Sequence, residues 1–535
     1  MTFAAGHQKR TLLTGGRLTR SGQGDVLAAA DVLIEGKRIL AVGELGDATA
    51  DERVDVDGRL ILPGLIDTHS HADGVIFDEQ VQLALLRQGV TTVIGGQDGV
   101  SYAPGDGRYA SEYFAAINGP HPRYRGGGVG ALLRSYDGTT RLNVGYLVPA
   151  GTVQHEVTGN SSRAPSDDEI ERMRAMVRTG MEEGALGLSS GLDYVPGLFA
   201  DTALLASLVS EIAPFGGVYV THMRGGYESN SAFGVEEAAR IVGSGGVALH
   251  ISHFHAEPDD IFTLMDALAE DGVDASFDAY PYGRGSTLLS MLLLPPEIIE
   301  LPRAEAVQAL ADPSVRERLV RDWIPRVAEY PSLGQEWPSM ITIAHTPAAD
   351  DAWTHGATLD EVARQRGQSP ADAAFDLLHA ARLDVGVVMA VRRERPVAEL
   401  GRIMAHPAQL GGSDGIFLGA HPHPRGFGCF ATYLGVYTRE QGFYTWESAA
   451  RHLSARPASR FGLGTRGRVQ PGAIADLALV DTEIVGARAD YARPRLLAEG
   501  IDDVFVAGER VLSEGRLADA TPGRGLRRQH PSTLR

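Results

Sequence analysis

The chain has 535 residues, 43% hydrophobic and 22% charged, a composition ordinary for a soluble globular protein. A formal net charge of −19 argues against nucleic acid and anionic membrane surfaces as partners, because a basic patch would have to act against the overall field. The single cysteine, Cys429, excludes an internal disulfide and any cysteine-rich metal site. The one basic run, residues 524–535, reads as a solvated, frayed terminus. No apolar run reaches the roughly 18 residues that a membrane span requires, since the best stretch, residues 287–294, stops at Pro295-Pro296. The first ten residues lack an apolar signal segment, which makes a cytoplasmic location the expectation.

Residues 10–62 read as short strands separated by turns, at 11–13, 31–34, 38–42 and 54–56. Runs at 475–480 and 504–512, the latter broken at Gly508, read alike, so the two termini are expected to pair into one small β-sandwich. Between them, apolar strands alternate with helical stretches such as 169–183, 203–212 and 235–242, the pattern of a parallel α/β architecture. Eight candidate strands cover 60–71, 91–98, 143–150, 185–192, 218–222, 247–253, 274–280 and 408–414. The expected fold is therefore an α/β (β/α)8 barrel of the TIM type, whose active site lies at the C-terminal strand ends. The expected division is 1–62 and 456–535 for the sandwich and 63–455 for the barrel. Two further strand-like runs, 341–344 and 385–391, belong either to an insertion at about 287–345 or to the link into strand eight.

The most informative segment is Leu-Pro-Gly-Leu-Ile-Asp-Thr-His-Ser-His, residues 62–71. Side chains alternate along a strand, so Asp67, His69 and His71 share one face, and two neutral imidazoles at that spacing can hold a zinc-like ion. His-x-His alone says little, because 17 histidines give on the order of half such a pair by chance, and His253/His255 and His421/His423 also fit. The context carries it. His69, His71, Asp98, His222, His253 and Asp414 all fall at predicted strand ends, whereas His250 faces away from His253 and reads as a hydrogen-bonded packing residue. Asp414, in Gly-Gly-Ser-Asp-Gly, is both a metal ligand and the candidate acid/base. Lys9 and Lys37 are the only lysines, and both precede the first ligand strand, which argues against a carbamylated-lysine bridge.

These residues resemble the amidohydrolase superfamily and, within it, the N-acyl-D-amino-acid deacylases. The likeness covers almost the whole chain: Asp31-Val-Leu-Ile-Glu-Gly-Lys-Arg-Ile-Leu, residues 63–71, Gly89-Val-Thr-Thr-Val, Gly184-Ala-Leu-Gly-Leu-Ser-Ser-Gly-Leu-Asp-Tyr, Thr221-His-Met-Arg, Ile251-Ser-His, Asp278-Ala-Tyr-Pro-Tyr, Gly412-Ser-Asp-Gly and Pro457-Ala-Ser-Arg-Phe-Gly-Leu. The resemblance implies metal-dependent hydrolysis of an N-acyl amide. In that reading His222 and His253 hold the tighter metal, His69 and His71 line a weaker second position, and Asp414 is the general base. It also implies one or two Zn2+ ions, with Mn2+ or Co2+ as alternatives. Arg425, Tyr194, Tyr282 and Ser286 match positions that hold the substrate carboxylate in the family. The expected partner is a small N-acyl amino acid or related amide, and homo-oligomerisation is left open.

Three departures stand out. A family metal-binding cysteine is Asp98 here; a Gly-His after strand three is Pro149-Ala150, with His155 a few residues on; and a lysine used by some members for acidic side chains is His255. The competing readings are a cyclic-amide hydrolase of the dihydroorotase or hydantoinase kind, disfavoured by the missing strand-four lysine, and a barrel that has lost activity.

Overall fold

A computed structural model describes residues 8–20, 22–243, 245–330 and 333–529 of the chain. It shows an α/β fold in which strands from the two ends of the sequence share one sheet and the middle of the chain forms parallel sheets. The shared sheet has nine strands. Its C-terminal half contains Arg516–Leu517, Glu509–Ser513, Ile501–Val506 and Leu477–Val480; its N-terminal half contains Leu60–Pro63, Arg10–Thr19, Leu27–Glu35 and Arg38–Gly43, with Glu52–Asp55 paired to Arg10–Thr19. The halves meet where Leu477–Val480 runs antiparallel to Leu60–Pro63, in the register Leu477↔Pro63 to Val480↔Leu60.

The run expected as one strand over 60–71 is therefore divided at Gly64. Leu60–Pro63 belongs to the shared sheet and Leu65–Asp67 starts the parallel part. Gly64 permits the close passage there, since a Cβ on it would lie 2.3 Å from Thr91 Oγ1.

One parallel sheet contains Leu65–Asp67, Val90–Gly95 and Asn143–Tyr146; the other contains Val148–Pro149, Gly187–Gly191, Val218–His222, Ala248–Ile251, Ala275–Asp278 and Gln409–Leu410. Past the first and last of these strands, backbone bonds continue between the two segments: Thr68 N–H to Gly411 O at 2.9 Å, Asp414 N–H to His69 O at 2.8 Å and His71 N–H to Gly415 O at 3.1 Å. The strands are short and buried because helices cover them. Asp167–Glu182 illustrates how: Ser166 and Glu169 form a capping box, and Met173, Val177, Gly180 and Met181 face inward at helical spacing. Burying Met173 and Val177 contributes about 1.5–3 kcal/mol each. Gly180 allows the helix to touch the sheet, as a Cβ there would meet Val148 Cγ2 at 2.6 Å.

Two expectations need correction. The excursion at about 287–345 is longer, because Gly285–Leu288, Ile341–His345 and Gly386–Met389 form their own antiparallel sheet over a separate core that includes Leu293, Ile343, Phe375 and Val387. Both leftover strand-like runs thus belong to it, because their alternating apolar residues close that second core. The basic tail is not frayed over 524–529: Gly525 bridges to Val144, Leu526 packs with Ile66 and Ile94, and Arg528 donates to Phe215 O and Leu186 O. Backbone carbonyls near the N-terminal strand ends thus receive the Arg528 guanidinium; the rest of the run, 530–535, and residues 1–7 lie outside the described residues. Among the described residues no helix is long and apolar enough to cross a membrane.

Candidate metal centre and active site

At the C-terminal ends of the parallel strands six side chains converge. His69, His71, Asp98 and Asp414 form one set and Asp98, His222 and His253 another, each with its ligand atoms within 4.8 Å of one another. Asp98 belongs to both. Its Oδ1 lies 3.5 Å from His69 Nε2 and 3.7 Å from His253 Nε2, and its Oδ2 lies 3.5 Å from His71 Nε2. Asp414 Oδ1 is 3.2 Å from His71 Nε2 and 3.7 Å from His69 Nε2, while His222 Nδ1 and His253 Nε2 are 3.1 Å apart.

The donor set fits divalent cations. His69 Nε2 and Asp98 Oδ1 are fully buried and have no hydrogen-bond partner, a costly state for polar atoms unless an ion completes their contacts. The backbone is strained at the same points, with φ of 53° at Asp98, 33° at His253 and 49° at Asp414, left-handed values that non-glycine residues rarely adopt. Each turns a side chain back over the strand ends. The loop carrying Asp98 also presses on strand four, where a Cβ on Gly191 would lie 2.1 Å from Asp98 O.

A second layer of groups orients the ligands, and the sequence reading missed most of it. Asp278 Oδ2 sits 3.4 Å from His69 Nδ1 and 3.0 Å from His250 Nε2, and Asp278 Oδ1 accepts the His253 N–H at 2.8 Å. His250, as its strand parity implies, is a buried hydrogen-bonded residue whose Nδ1 meets Ser276 Oγ at 2.8 Å. Asn118 Oδ1 meets His71 Nδ1 at 3.0 Å, and Asp193 Oδ2 meets His222 Nε2 at 3.2 Å. Such partners fix each imidazole's tautomer and direction.

Arg425, wholly buried, ion-pairs with Asp414 through Nη2 to Oδ2 at 2.8 Å and donates from Nε to Asp414 O at 2.5 Å. Burial alone pushes the Asp414 carboxyl up, but the charge of Arg425 and the hydrogen bond to His71 outweigh it and hold the group at about 2. Burial likewise raises Asp98, yet His69 and the other histidines keep it well below the ordinary carboxylate range. Both carboxylates are therefore anionic at neutral pH. Asp414 is tied at Oδ2, which leaves Oδ1 facing the histidines.

A cavity of about 240 Å³ opens onto this cluster, lined by the ligand residues His71, Asp98, His222, His253 and Asp414 and also by Asp193, Tyr194, Tyr227, Tyr280, Ser286, Thr287, Met291 and Met389. Of the residues expected to touch substrate, Tyr194 and Ser286 line it. The other three do not, because neighbouring groups take their polar ends or cover them. Tyr282 turns its hydroxyl to Thr432 Oγ1 at 3.2 Å, His255 packs against the Tyr280 ring with 4.5 Å between centroids, and Arg425 lies behind that ring at 4.4 Å. His155 lies in a different cavity, stacked 3.9 Å from Tyr109 and away from the cluster. Of the three His-x-His pairs only His69/His71 enters the cluster whole: His423 instead accepts the Arg425 N–H at 3.1 Å, and His421 meets Tyr491 O at 2.8 Å. Strand four, Gly187–Gly191, contributes Ser189 and Ser190 and no lysine, while Lys9 is paired with Glu52 in the terminal sheet.

A buried histidine and carboxylate cluster at the C-terminal ends of parallel strands, with an ionised aspartate beside it, defines the hydrolase class that works through bound divalent metal. Comparison with known proteins narrows this. The chain belongs to the amidohydrolase family, whose profile matches residues 52–512. It is 32% identical to a D-aminoacylase of Alcaligenes xylosoxydans xylosoxydans over 534 residues, covering 97% of each chain. An N-acyl-D-glutamate deacylase of the same organism is 31% identical, again covering 97% of each chain. A solved N-acyl-D-glutamate deacylase of Bordetella bronchiseptica, complexed with zinc and a phosphonate mimic of the tetrahedral intermediate, superposes with a TM-score of 0.80 at 30% identity, covering 97% of this chain and 99% of that one. The chain is thus an amidohydrolase.

Proposed function

We propose that this amidohydrolase removes the acyl group from N-acyl-D-amino acids. The observation that carries the reading is the double cluster joined by Asp98, lying under a cavity of about 240 Å³ beside an ionised, half-tethered Asp414. His222 and His253 with Asp98 would hold one divalent ion, and His69 and His71 with Asp98 and Asp414 would hold a second; zinc suits the nitrogen donors, and Mn2+ or Co2+ suits the oxygen-richer position that Asp98 creates. When bound, such an ion polarises an amide carbonyl and lowers the pKa of water towards about 7. Asp414 Oδ1 accepts the proton of the attacking water and returns it to the departing amine nitrogen, while Arg425 keeps Oδ2 fixed and the carboxylate ionised. Arg425 Nη1 is buried without a hydrogen-bond partner behind the Tyr280 ring, so Arg425 acts on the reaction through Asp414.

The same reading treats the two parallel sheets as one (β/α)8 barrel, supported by the backbone bonds between 68–71 and 411–415. The terminal strands then form its β-sandwich companion, 1–62 with the C-terminal part, and residues 285–389 form an excursion from the barrel. Paired N-acetyl-D- and N-acetyl-L-amino acids, offered with zinc, manganese or cobalt, test the activity. Amine release from the D form alone is expected; release from the L form, or from neither, rejects it.

A further inference from the structure

The N-terminal ends of the parallel strands, opposite the ligand cluster, border a second and larger cavity of about 670 Å³. Ala248 and Ala275 begin two of those strands there, and Gly216 and Gly217 lead into a third, Val218–His222. Three guanidinium groups line it, those of Arg456, Arg460 and Arg528, against one carboxylate, Asp274. In a chain of net charge −19 this gathering of cations runs against the overall field. The three are not equally occupied. Arg460 is paired, with Nη2 2.7 Å from Asp274 Oδ1 and Nη1 3.3 Å from Asp274 O. Arg528 donates only to backbone, from Nε to Phe215 O at 3.2 Å and from Nη1 to Leu186 O at 3.3 Å. Arg456 Nη1 is buried with no hydrogen-bond partner, and the cation acting on this guanidinium is a further arginine, Arg451. Burial and the charge of Arg460 also bring the Arg528 guanidinium down to about 10. Asp274 answers one positive charge and leaves two open, a costly arrangement for partly buried groups unless an anion completes it.

We infer that this cavity binds a dianionic phosphate group, held by Arg456 and Arg528, at a site separate from the metal centre. Two open positive charges match a dianion, whereas a monocarboxylate would leave one over. The planar N–H forks of arginine also suit a tetrahedral oxyanion, which accepts several bonds at once. The volume exceeds that of inorganic phosphate alone, so the group can arrive free or as a phosphate monoester. Because the site lies at the far end of the strands from the ligand cluster, its occupancy stabilises the fold without entering the chemistry there.

The test is calorimetric titration of the full-length zinc-loaded protein with inorganic phosphate, glycerol phosphate and acetate. At least one of the two phosphates should bind with a Kd below about 1 mM, and the tighter of them identifies the source; acetate should bind at least about tenfold more weakly. Arg456→Gln should weaken phosphate binding by about tenfold or more and Arg456→Lys by less, with zinc content parental in both. Without phosphate, the Tm of Arg456→Gln should equal or exceed that of the parent, because the side chain has no internal bond to lose. Phosphate can also ligate a metal, so His222→Ala is titrated beside them and should keep parental phosphate affinity at the arginine site. Three results overturn the inference: no phosphate binding, binding unchanged in Arg456→Gln but lost in His222→Ala, or a Tm that falls in Arg456→Gln, which would mean that the guanidinium is satisfied within the protein.

Discussion

The nine-stranded terminal sheet and the C-terminal ends of the parallel strands both bury charge, and they treat it in opposite ways. In the terminal sheet Asp503 is held by Arg59 and Arg510, and Asp476 by Arg466 and the Ala507 N–H. Among the described residues, none of the buried unpartnered side-chain polar atoms lies in that sheet. At the parallel strand ends His69 Nε2, Asp98 Oδ1 and Arg425 Nη1 are left open, and three residues there adopt left-handed backbone at about 1–3 kcal/mol each. A stable sheet satisfies its charges internally. A site keeps some unsatisfied, and the open valences of His69 and Asp98 mark where an ion would sit.

The comparison is broken most severely at Asp414. Asp414→Asn preserves the shape and its carbonyl oxygen but cannot carry a proton, so turnover should fall by about two to four orders of magnitude while metal at the His222 and His253 position stays near parental. Stopped assays with elemental analysis of the same sample check this; near-parental turnover would place the base elsewhere.

The next effect separates the two ligand sets. His222→Ala and His253→Ala should each weaken binding at one metal position by roughly tenfold or more, whereas Asp98→Ala, which touches both sets, should lower total metal content further than either. Asp98→Cys should restore binding with a preference moved towards zinc, because thiolate is softer than carboxylate. Metal titration read by a chromogenic competitor gives the affinities directly. Identical affinities in parent, Asp98→Ala and Asp98→Cys would reduce Asp98 to a turn residue.

Much of the contrast is legible in the sequence, and what is missing has a physical cause. Strand parity and strand-end position suffice to gather His69, His71, Asp98, His222, His253 and Asp414, because a short parallel strand offers its last inward residues to one common place. Parity reports nothing about what folds over that place. Asn118, Asp193 and the methionines at 291 and 389 come from loops and an excursion whose approach depends on tertiary packing. Asp278 carried a usable signal, an acid inside an apolar strand, which burial tolerates only with partners. Arg425 shows the opposite error: its residue type suits a substrate carboxylate, yet its first partner in the structure is Asp414, eleven positions away on the same loop and helix start. The cut at Gly64 was hidden because the apolar run continues across it while the chain changes sheets.

The smallest effect tests the satisfied side of the comparison. Asp503, whose side chain is 3% exposed, accepts from Arg59 at 2.6 Å, from Arg510 Nε at 3.0 Å and from the Glu514 N–H at 3.2 Å. Asp503→Asn leaves both guanidinium groups without their counter-ion and should cost about 2–3 kcal/mol, read as a lower urea midpoint, with metal content and turnover unchanged at low denaturant. Burial raises the Asp503 carboxyl, but the hydrogen bonds and charges of Arg59 and Arg510 outweigh it and leave the group below its ordinary value. A depressed folded value means that the carboxylate's contribution is fully present above the unfolded pKa of about 3.9 and is lost as pH falls through the folded value. The gap between parent and variant should therefore stay constant from pH 7 to about pH 5 and narrow progressively as pH falls below about 4. A gap that does not narrow at all as the pH is lowered past about 4 would show that Asp503 acts through shape and packing, and the terminal sheet would then owe its stability there to something other than satisfied charge.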